Sequence, residues 1–378
     1  MPLPPVNRER LLSCFLQLVR IPSLSGHESR VAELVAGELA GLGLAVERDQ
    51  AHQSFGGDTG NVIGRLPGEG EPILLCAHLD TVGPAEGVCP QVRAGRITSD
   101  GTTVLGADDK AAVAGLLEGL RTVVAHALPH PPLELLFTVA EEVGLKGSLG
   151  LEPGSLRSRM AFVADSAGPV GTIVNRGPGQ DGVRAVVTGR AAHAGVAPEK
   201  GVSAIQIAAR GIAAMRLGRI DEETTANIGL IRGGTATNIV PDRVELEGEA
   251  RSHDDAKRVA QVQHMVACLH QAAAELGGGL EVEITPRYER FCVPESHPAV
   301  ALAKQALREL GVRARLGATG GGSDANVFNA GGMPAVLLGV GYDNCHARDE
   351  FIRVGELERF AQLVVALITT AAGRASGR

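Results

Sequence analysis

The chain has 378 residues, more than one small core needs, so two domains are expected. Hydrophobic residues at 44% and charged residues at 21% describe an ordinary globular protein, and 3% aromatics without tryptophan leave no stacking platform for single-stranded nucleic acid. A net charge of −7 without a long basic run removes the footprint of a nucleic-acid binder, and no apolar stretch reaches the roughly eighteen residues needed to span a bilayer.

The first ten residues are proline-rich and charged. Arg20 interrupts the apolar run Leu11 to Val19, so no signal-peptide core follows. Six cysteines are scattered without a C-x-x-C pair and several lie in apolar runs, which fits reduced thiols and a cytoplasmic protein.

In chain order, Leu11, Leu12, Phe15, Leu16 and Val19 predict a helix that Pro22 ends. Ser25-x-x-Glu28 has the pattern of a capping box opening a second helix, which stops near Gly41 and Gly43. A short strand is predicted at 61–66. Ile73 to Ala77 is a continuous apolar run suited to a strand buried on both faces. His78 and Asp80 follow where that strand ends, on one side of the extended chain and at the edge where α/β sheets bind ligands.

Gly101 to Asp109 is glycine-rich and leads into a small-residue, buried helix from Lys110 to Val124. Asp108 and Asp109 at its start suit the helix dipole as a cap and its neighbour. The strand Leu133 to Val139 runs directly into Glu141-Glu142, and the strand Ala161 to Ala164 ends at Asp165. Residues 176–289 change texture. Their pattern is β-α-β-β-α-β, the ferredoxin-like arrangement, and it predicts an inserted domain between two parts of a catalytic domain, 1–175 and 290–378. Its open sheet face and edge strands leave scope for dimerisation. After residue 290 come a helix at 299–310, the loop Thr319 to Asn326, a strand at 334–340, Cys345-His346 and a closing helix at 355–370.

His78, Asp80, Asp108, Glu141, Glu142, Asp165 and His346 thus stand at element ends. So many carboxylates, so dispersed, do not make a mononuclear structural zinc site. They suit two metals roughly 3.5–4 Å apart that share a bridging carboxylate and a water, with one carboxylate left unbound as general base.

The motifs His78-Leu-Asp-Thr-Val, Gly106-Ala-Asp-Asp-Lys, Glu141-Glu142, Asp165, Gly189 to Gly195, Thr237 to Asp242 and His346, in this order, resemble the co-catalytic dizinc metallopeptidases that include peptidase T, the carboxypeptidase G type enzymes and the aminoacylases. The peptidase T-like branch is the nearest in look, and the resemblance covers essentially the whole chain. It implies an α/β, dizinc aminopeptidase-like catalytic domain and a ferredoxin-like lid. Two Zn²⁺ per chain are implied, one held by His78 and Asp165, the other by Glu142 and His346, with Asp108 bridging. Asp80 would orient His78, and Glu141 would be the general base and acid. Asp109 keeps its reading as a helix-start residue, and a cis peptide is implied after Asp108.

In the lid, His193 matches a histidine that reaches across a dimer to the oxyanion; otherwise it is a solvated loop residue. Asn238 and Arg251 match residues thought to hold the substrate's backbone or carboxylate, although Arg251 could equally pair with Glu249. Gly320 to Gly322, in particular Gly321 and Gly322, could offer N–H groups to an anion or form a plain turn. The expected protein is therefore a homodimer, through the lid, that cleaves short peptides from the amino end. A carboxypeptidase or an N-acyl amino acid amidohydrolase would use the same metals. A non-catalytic peptide-binding scaffold would have lost a ligand or the base, and none is lost.

Overall fold

The computed structural model describes residues 3–375, and these divide into two compact units. One runs up to Arg176 and resumes over Cys292–Thr319 and from Ser323 onward; the other takes Gly177–Phe291 together with Gly320–Gly322.

The first unit is an α/β fold on a mixed sheet. Six of its strands lie in the order Ala45–Arg48, Val62–Leu66, Leu133–Thr138, Ile73–His78, Ala161–Ser166 and Ala335–Gly339. The last four are mutually parallel, and the first two add antiparallel. Every residue of Ile73–His78 and of Leu133–Thr138 is buried, as continuous apolar runs covered on both faces require. Because these strands are parallel, the residues that follow them emerge along one sheet edge: Leu79-Asp80 after the first, Val139 to Glu142 after the second, with Asp165 near the end of the third.

The helix Ala107–Ala125 is buried along nearly its whole length. It lies close to Val354–Ala375, and glycine makes that approach feasible: a Cβ on Gly115 would stand 2.3 Å from the Phe360 ring, and one on Gly119 2.6 Å from Val364. Asp108 and Asp109 have non-helical dihedrals, so the regular helix begins at Lys110.

Two expectations need correcting here. Ser25 and Glu28 do not form a capping box. Glu28 is the N-cap of Ser29–Gly41 without a side-chain cap bond, because its carboxylate accepts from Gly26 N at 2.8 Å and Ala140 N at 2.9 Å. The sequence also did not foretell a small antiparallel sheet of Gln91–Arg93, Arg96–Thr98, Phe351–Arg353 and Tyr342–Asp343. Strands this short carry no readable alternation.

The second unit is an antiparallel sheet in the order Gly218–Arg219, Thr224–Gly233, Arg243–Ser252, Gly179–Thr188, Gly279–Tyr288. The helices Ala204–Ala214 and Asp255–Leu276 pack on it, capped by Ser203 and Asp254. Their buried faces include Ala208, Met215, Val262, Leu269 and Ala273. Ile205 and Val259 are exposed while Ile207 and Met265 are buried, and Arg258 enters the packed face because Asp181 accepts from it at 3.2 Å. Among the described residues, no helix is long and apolar enough to cross a membrane.

The close helix approach makes a stability prediction. Gly115→Val should destabilise the fold by about 1–3 kcal/mol through overpacking against Phe360, read as a lowered urea midpoint with unchanged slope.

Candidate active site

All seven residues singled out at element ends lie in the first unit, and they converge around the Asp108 carboxylate and the Asp80 carboxylate. The cis peptide expected after Asp108 is present.

His78 closes the strand Ile73–His78 and is 2% exposed. Its Nδ1 lies 2.9 Å from the main-chain oxygen of Asp80, nearer than the 3.4 Å to that residue's Oδ1. A carbonyl only accepts, so the ring proton belongs on Nδ1. The other nitrogen, Nε2, faces Asp108 Oδ1 at 3.1 Å and Asp165 Oδ1 at 4.0 Å. His346 Nε2 faces Glu142 Oε1 at 2.9 Å and Asp108 Oδ2 at 3.5 Å. Asp108 therefore presents each of its two oxygens to a different imidazole. Tyr342 donates to Asp165 Oδ1 at 3.3 Å.

Asp80 does more than border His78. Its Oδ1 accepts from Glu141 N at 3.0 Å, and its Oδ2 from Glu142 N at 3.1 Å and Ser25 Oγ at 2.6 Å. Ala140, just before them, has φ +49° and donates to Glu28. A turn of this kind is what adjacent glutamates need if both are to reach one cavity. Asp109 is not a simple helix-start residue. It is wholly buried, and its Oδ2 accepts from His78 N at 3.1 Å, because the non-helical dihedrals at Asp108 and Asp109 turn it toward the strand.

Sequence reasoning misread Glu28 and Asp109 and missed Asp324 and Glu350, the acids that hold this framework, each at most 1% exposed. Asp324 accepts from Thr138 Oγ1 at 2.6 Å, and Glu350 accepts from Gly106 N at 2.7 Å and Asp108 N at 2.8 Å. Their targets are distant in sequence and mostly backbone, so no local pattern marks them. Cys345, one of the six scattered thiols, has its sulfur within 4.8 Å of ligand atoms of Asp108 and His346.

Burial and crowded carboxylates set the electrostatics of the pocket. Burial, followed by the charge of neighbouring acids, pushes Glu141 and Asp165 well above the carboxylate range. Burial opposes protonation of His78, yet Asp108 and Asp80 push its pKa well above that of a free imidazole. Asp108 and Glu142 push His346 up to about 10. An Nε2 lone pair aimed at carboxylate oxygens is repulsive unless a proton or a cation lies between them. The donor set of imidazoles and carboxylates therefore fits divalent metal, and His78, Asp108 and Asp165 have ligand atoms all within 4.8 Å of one another.

Residues 74–370 match the family model Peptidase family M20/M25/M40. The chain belongs to that family. Peptidase family M20 includes close relatives of known structure. The aminopeptidase PepT from Bacillus cereus ATCC 10987 is 43% identical, over 97% of this chain and 99% of that one, with a TM-score of 0.86. A tripeptidase from Staphylococcus aureus subsp. aureus mu50 is 40% identical, over 98% and 100%, with a TM-score of 0.92. The protein YqjE of Bacillus subtilis (strain 168) is 44% identical over 97% of this chain and 100% of its own length. As an M20 enzyme of the peptidase T kind, the chain is a metallopeptidase.

The remaining candidates lie in the second unit. His193 is exposed, and its Nδ1 accepts from Gly195 N at 3.1 Å, which places the proton of the neutral ring on Nε2. Asn238 is exposed, and its carbonyl accepts from Ala194 N at 2.9 Å. Arg251 makes a two-pronged pair with Glu249 at 2.8 and 3.0 Å, the pairing that the sequence left open. Gly322 packs where a Cβ would stand 2.2 Å from the Tyr288 ring; Gly321 adjoins it.

Asp80→Asn is expected to disrupt the glutamate turn, because its amide group would turn a donor toward one of two backbone N–H groups. Losing a charge-assisted bond and leaving a buried donor unmet corresponds to roughly 10²-fold or more in turnover. Ser25→Ala should cost far less. Steady-state kinetics on the two variants, with circular dichroism to verify folding, checks the difference.

Proposed function

We propose that this enzyme is a zinc-dependent exopeptidase that removes the amino-terminal residue of short peptides, tripeptides above all. His78 and Asp165 hold one metal in this reading, Glu142 and His346 the other, and Asp108 bridges them. The observation that carries it is the Asp108 carboxylate, with Oδ1 at 3.1 Å from His78 Nε2 and Oδ2 at 3.5 Å from His346 Nε2. The substrate class follows the names of the B. cereus aminopeptidase and the S. aureus tripeptidase, at 43% and 40% identity.

Two divalent cations held there would supply an acidified water and a polarised scissile carbonyl. Glu141 accepts the proton of the attacking water as its oxygen adds to the carbonyl carbon. It then returns that proton to the amine as the C–N bond breaks. Asp80 fixes its backbone during both. Asp80 also orients His78, chiefly through its main-chain oxygen.

The second unit acts in this proposal as a ferredoxin-like lid, residues 176–289, inserted between catalytic segments 1–175 and 290–378. Two copies pair through it. His193 donates from Nε2 to the oxyanion in the neighbouring subunit, Asn238 and Arg251 hold the peptide's backbone or carboxylate, and Gly321 and Gly322 offer N–H groups. The hydrogen bond from Gly195 supports the donor role of His193, and the antiparallel strand order of the unit supports its class. A reducing, cytoplasmic setting is supported by six free cysteines, Cys76 among them buried.

The test is metal content and turnover on tripeptides, N-blocked tripeptides and acyl-amino acids. We expect close to two zinc ions per chain, activity lost on chelation and restored by metal, and cleavage of free-amine tripeptides alone. Glu141→Gln should keep both metals and lose roughly 10²–10⁴-fold in kcat, whereas Glu142→Gln should lose metal at one position. Reversal of that pattern would exchange the two roles. His193→Ala should cost about 10²–10³-fold in kcat with metal content unchanged; an unaltered kcat would leave it a loop histidine.

A further inference from the structure

We propose that Glu350 is a positioning residue that holds Asp108 and His346 in register, and so builds one of the two metal positions more than the other. This rests on the ligand assignment given under Proposed function.

Glu350 is 1% exposed, and both of its carboxylate oxygens are engaged by backbone. Oε2 accepts from Gly106 N at 2.7 Å and Oε1 from Asp108 N at 2.8 Å, one on each side of the Ala107 residue at which the helix begins. That helix has Gly106 at its N-cap, with φ +74° and no side-chain cap bond. Asp108 and Asp109 are themselves non-helical, so Glu350 supplies the acceptor that a Ser or Asp cap normally would. A capping acid from 242 residues away in sequence ties together two segments that no helix bond joins.

The other segment is the one that carries His346. It is the loop between Tyr342–Asp343 and Phe351–Arg353, and Glu350 is its last residue. Glu350 N donates to Ala347 O at 3.1 Å, which closes the loop directly behind His346. His346 itself has φ +64° and Asn344 φ +56°, so the loop relies on its surroundings to hold this shape. On the far side of Glu350, Phe351 pairs with Thr98 in the small antiparallel sheet. One carboxylate is thus four residues from one ligand and 2.8 Å from the backbone of another. His78 has separate anchors, the Asp80 main-chain oxygen and the Asp109 carboxylate. Loss of Glu350 therefore acts on the position of His346 and Glu142 in preference to that of His78 and Asp165.

The experiment is a zinc titration of metal-free protein against a chromogenic chelator, with the melting temperature of the metal-free form measured alongside. Glu350→Gln keeps size and shape but turns an NH₂ group toward one of two backbone donors. We expect one of two zinc affinities to fall about 10–100-fold and the other to hold, with kcat reduced and KM unchanged at saturating zinc. Glu118→Gln is the control. Its carboxylate is buried in the same helix but serves Arg10 and Asn7 N, so it should lower the melting temperature and leave both affinities alone. If Glu350→Gln matches that control, Glu350 is a structural cap and the proposal falls. If both affinities fall equally, the preference for one position falls. Should Glu350→Gln not fold, Glu350→Asp is read in its place; its shorter acid reaches one amide, and unchanged affinities overturn the proposal. If the parent protein takes up no metal, the ligand assignment fails and this inference with it; two metals in the parent and in Glu350→Gln at equal affinity remove this inference alone.

Discussion

The site depends first on a mismatch between backbone donors and regular structure. Where the parallel strands end and the chain turns sharply, N–H groups are buried with no strand or helix partner, and carboxylates take them up. Glu28 accepts from Ala140, and Asp80 from Glu141 and Glu142, so three consecutive amides rest on two acids. Asp109 accepts from His78. A carboxylate with two oxygens can hold two amides in one orientation, which a hydroxyl or a carboxamide does less well. The adjacent glutamates can therefore serve one cavity because Asp80 fixes the main chain between them, and not because of any preference of their own.

The same device concentrates negative charge. Asp80, Asp108, Asp109, Glu141, Asp165 and Asp324 are buried or nearly so within one small region, with His78, half-exposed His346 and Lys110 as the cationic partners within reach. Burial pushes Asp109 well above the carboxylate range, pushes Glu28 up to about 7, and lowers Lys110 to about 7. Each shift is a way of reducing charge where water cannot screen it. Divalent cations between the imidazoles and the carboxylates would answer the same need more completely.

Much of this arrangement is legible in the amino-acid sequence. His78, Glu141, Glu142 and Asp165 each close or follow a buried strand, a placement that strand burial and parallel order explain, whereas Asp108 and His346 are marked by the motifs of the family resemblance. The supporting acids are not legible there. Glu350 finds its amides 242 and 244 residues away, and Asp324 its hydroxyl 186 away, and bonds to backbone leave no trace in the identity of the partner. Ser25 shows how a local rule can lose. Its spacing to Glu28 suits a helix cap, yet Asp80 offers it a charged acceptor and Glu28 is drawn off by Ala140.

The scarcity of aromatics then acquires a reason. Asp108 stands just ahead of the regular turns of a helix that must be rigid, since a carboxylate presenting its two oxygens to two imidazoles tolerates little displacement. That helix is Ala107–Ala125, rich in alanine, glycine and leucine, and its neighbour Val354–Ala375 comes close enough to exclude a Cβ at Gly115 and Gly119. Small residues let two backbones approach, and close approach replaces the area that large aromatics would have buried. Glycine inside a helix is unfavourable by about 0.5–1 kcal/mol relative to alanine, so its use twice in one buried helix reflects what the packing demands. At the helix start, Lys110 donates to Ile21 O at 2.7 Å and fixes the first turn from the other side. The position of Asp108 is thus set by helix packing behind it, by Lys110 below it and by Glu350 across it, three constraints supplied by parts of the chain that carry no chemistry themselves.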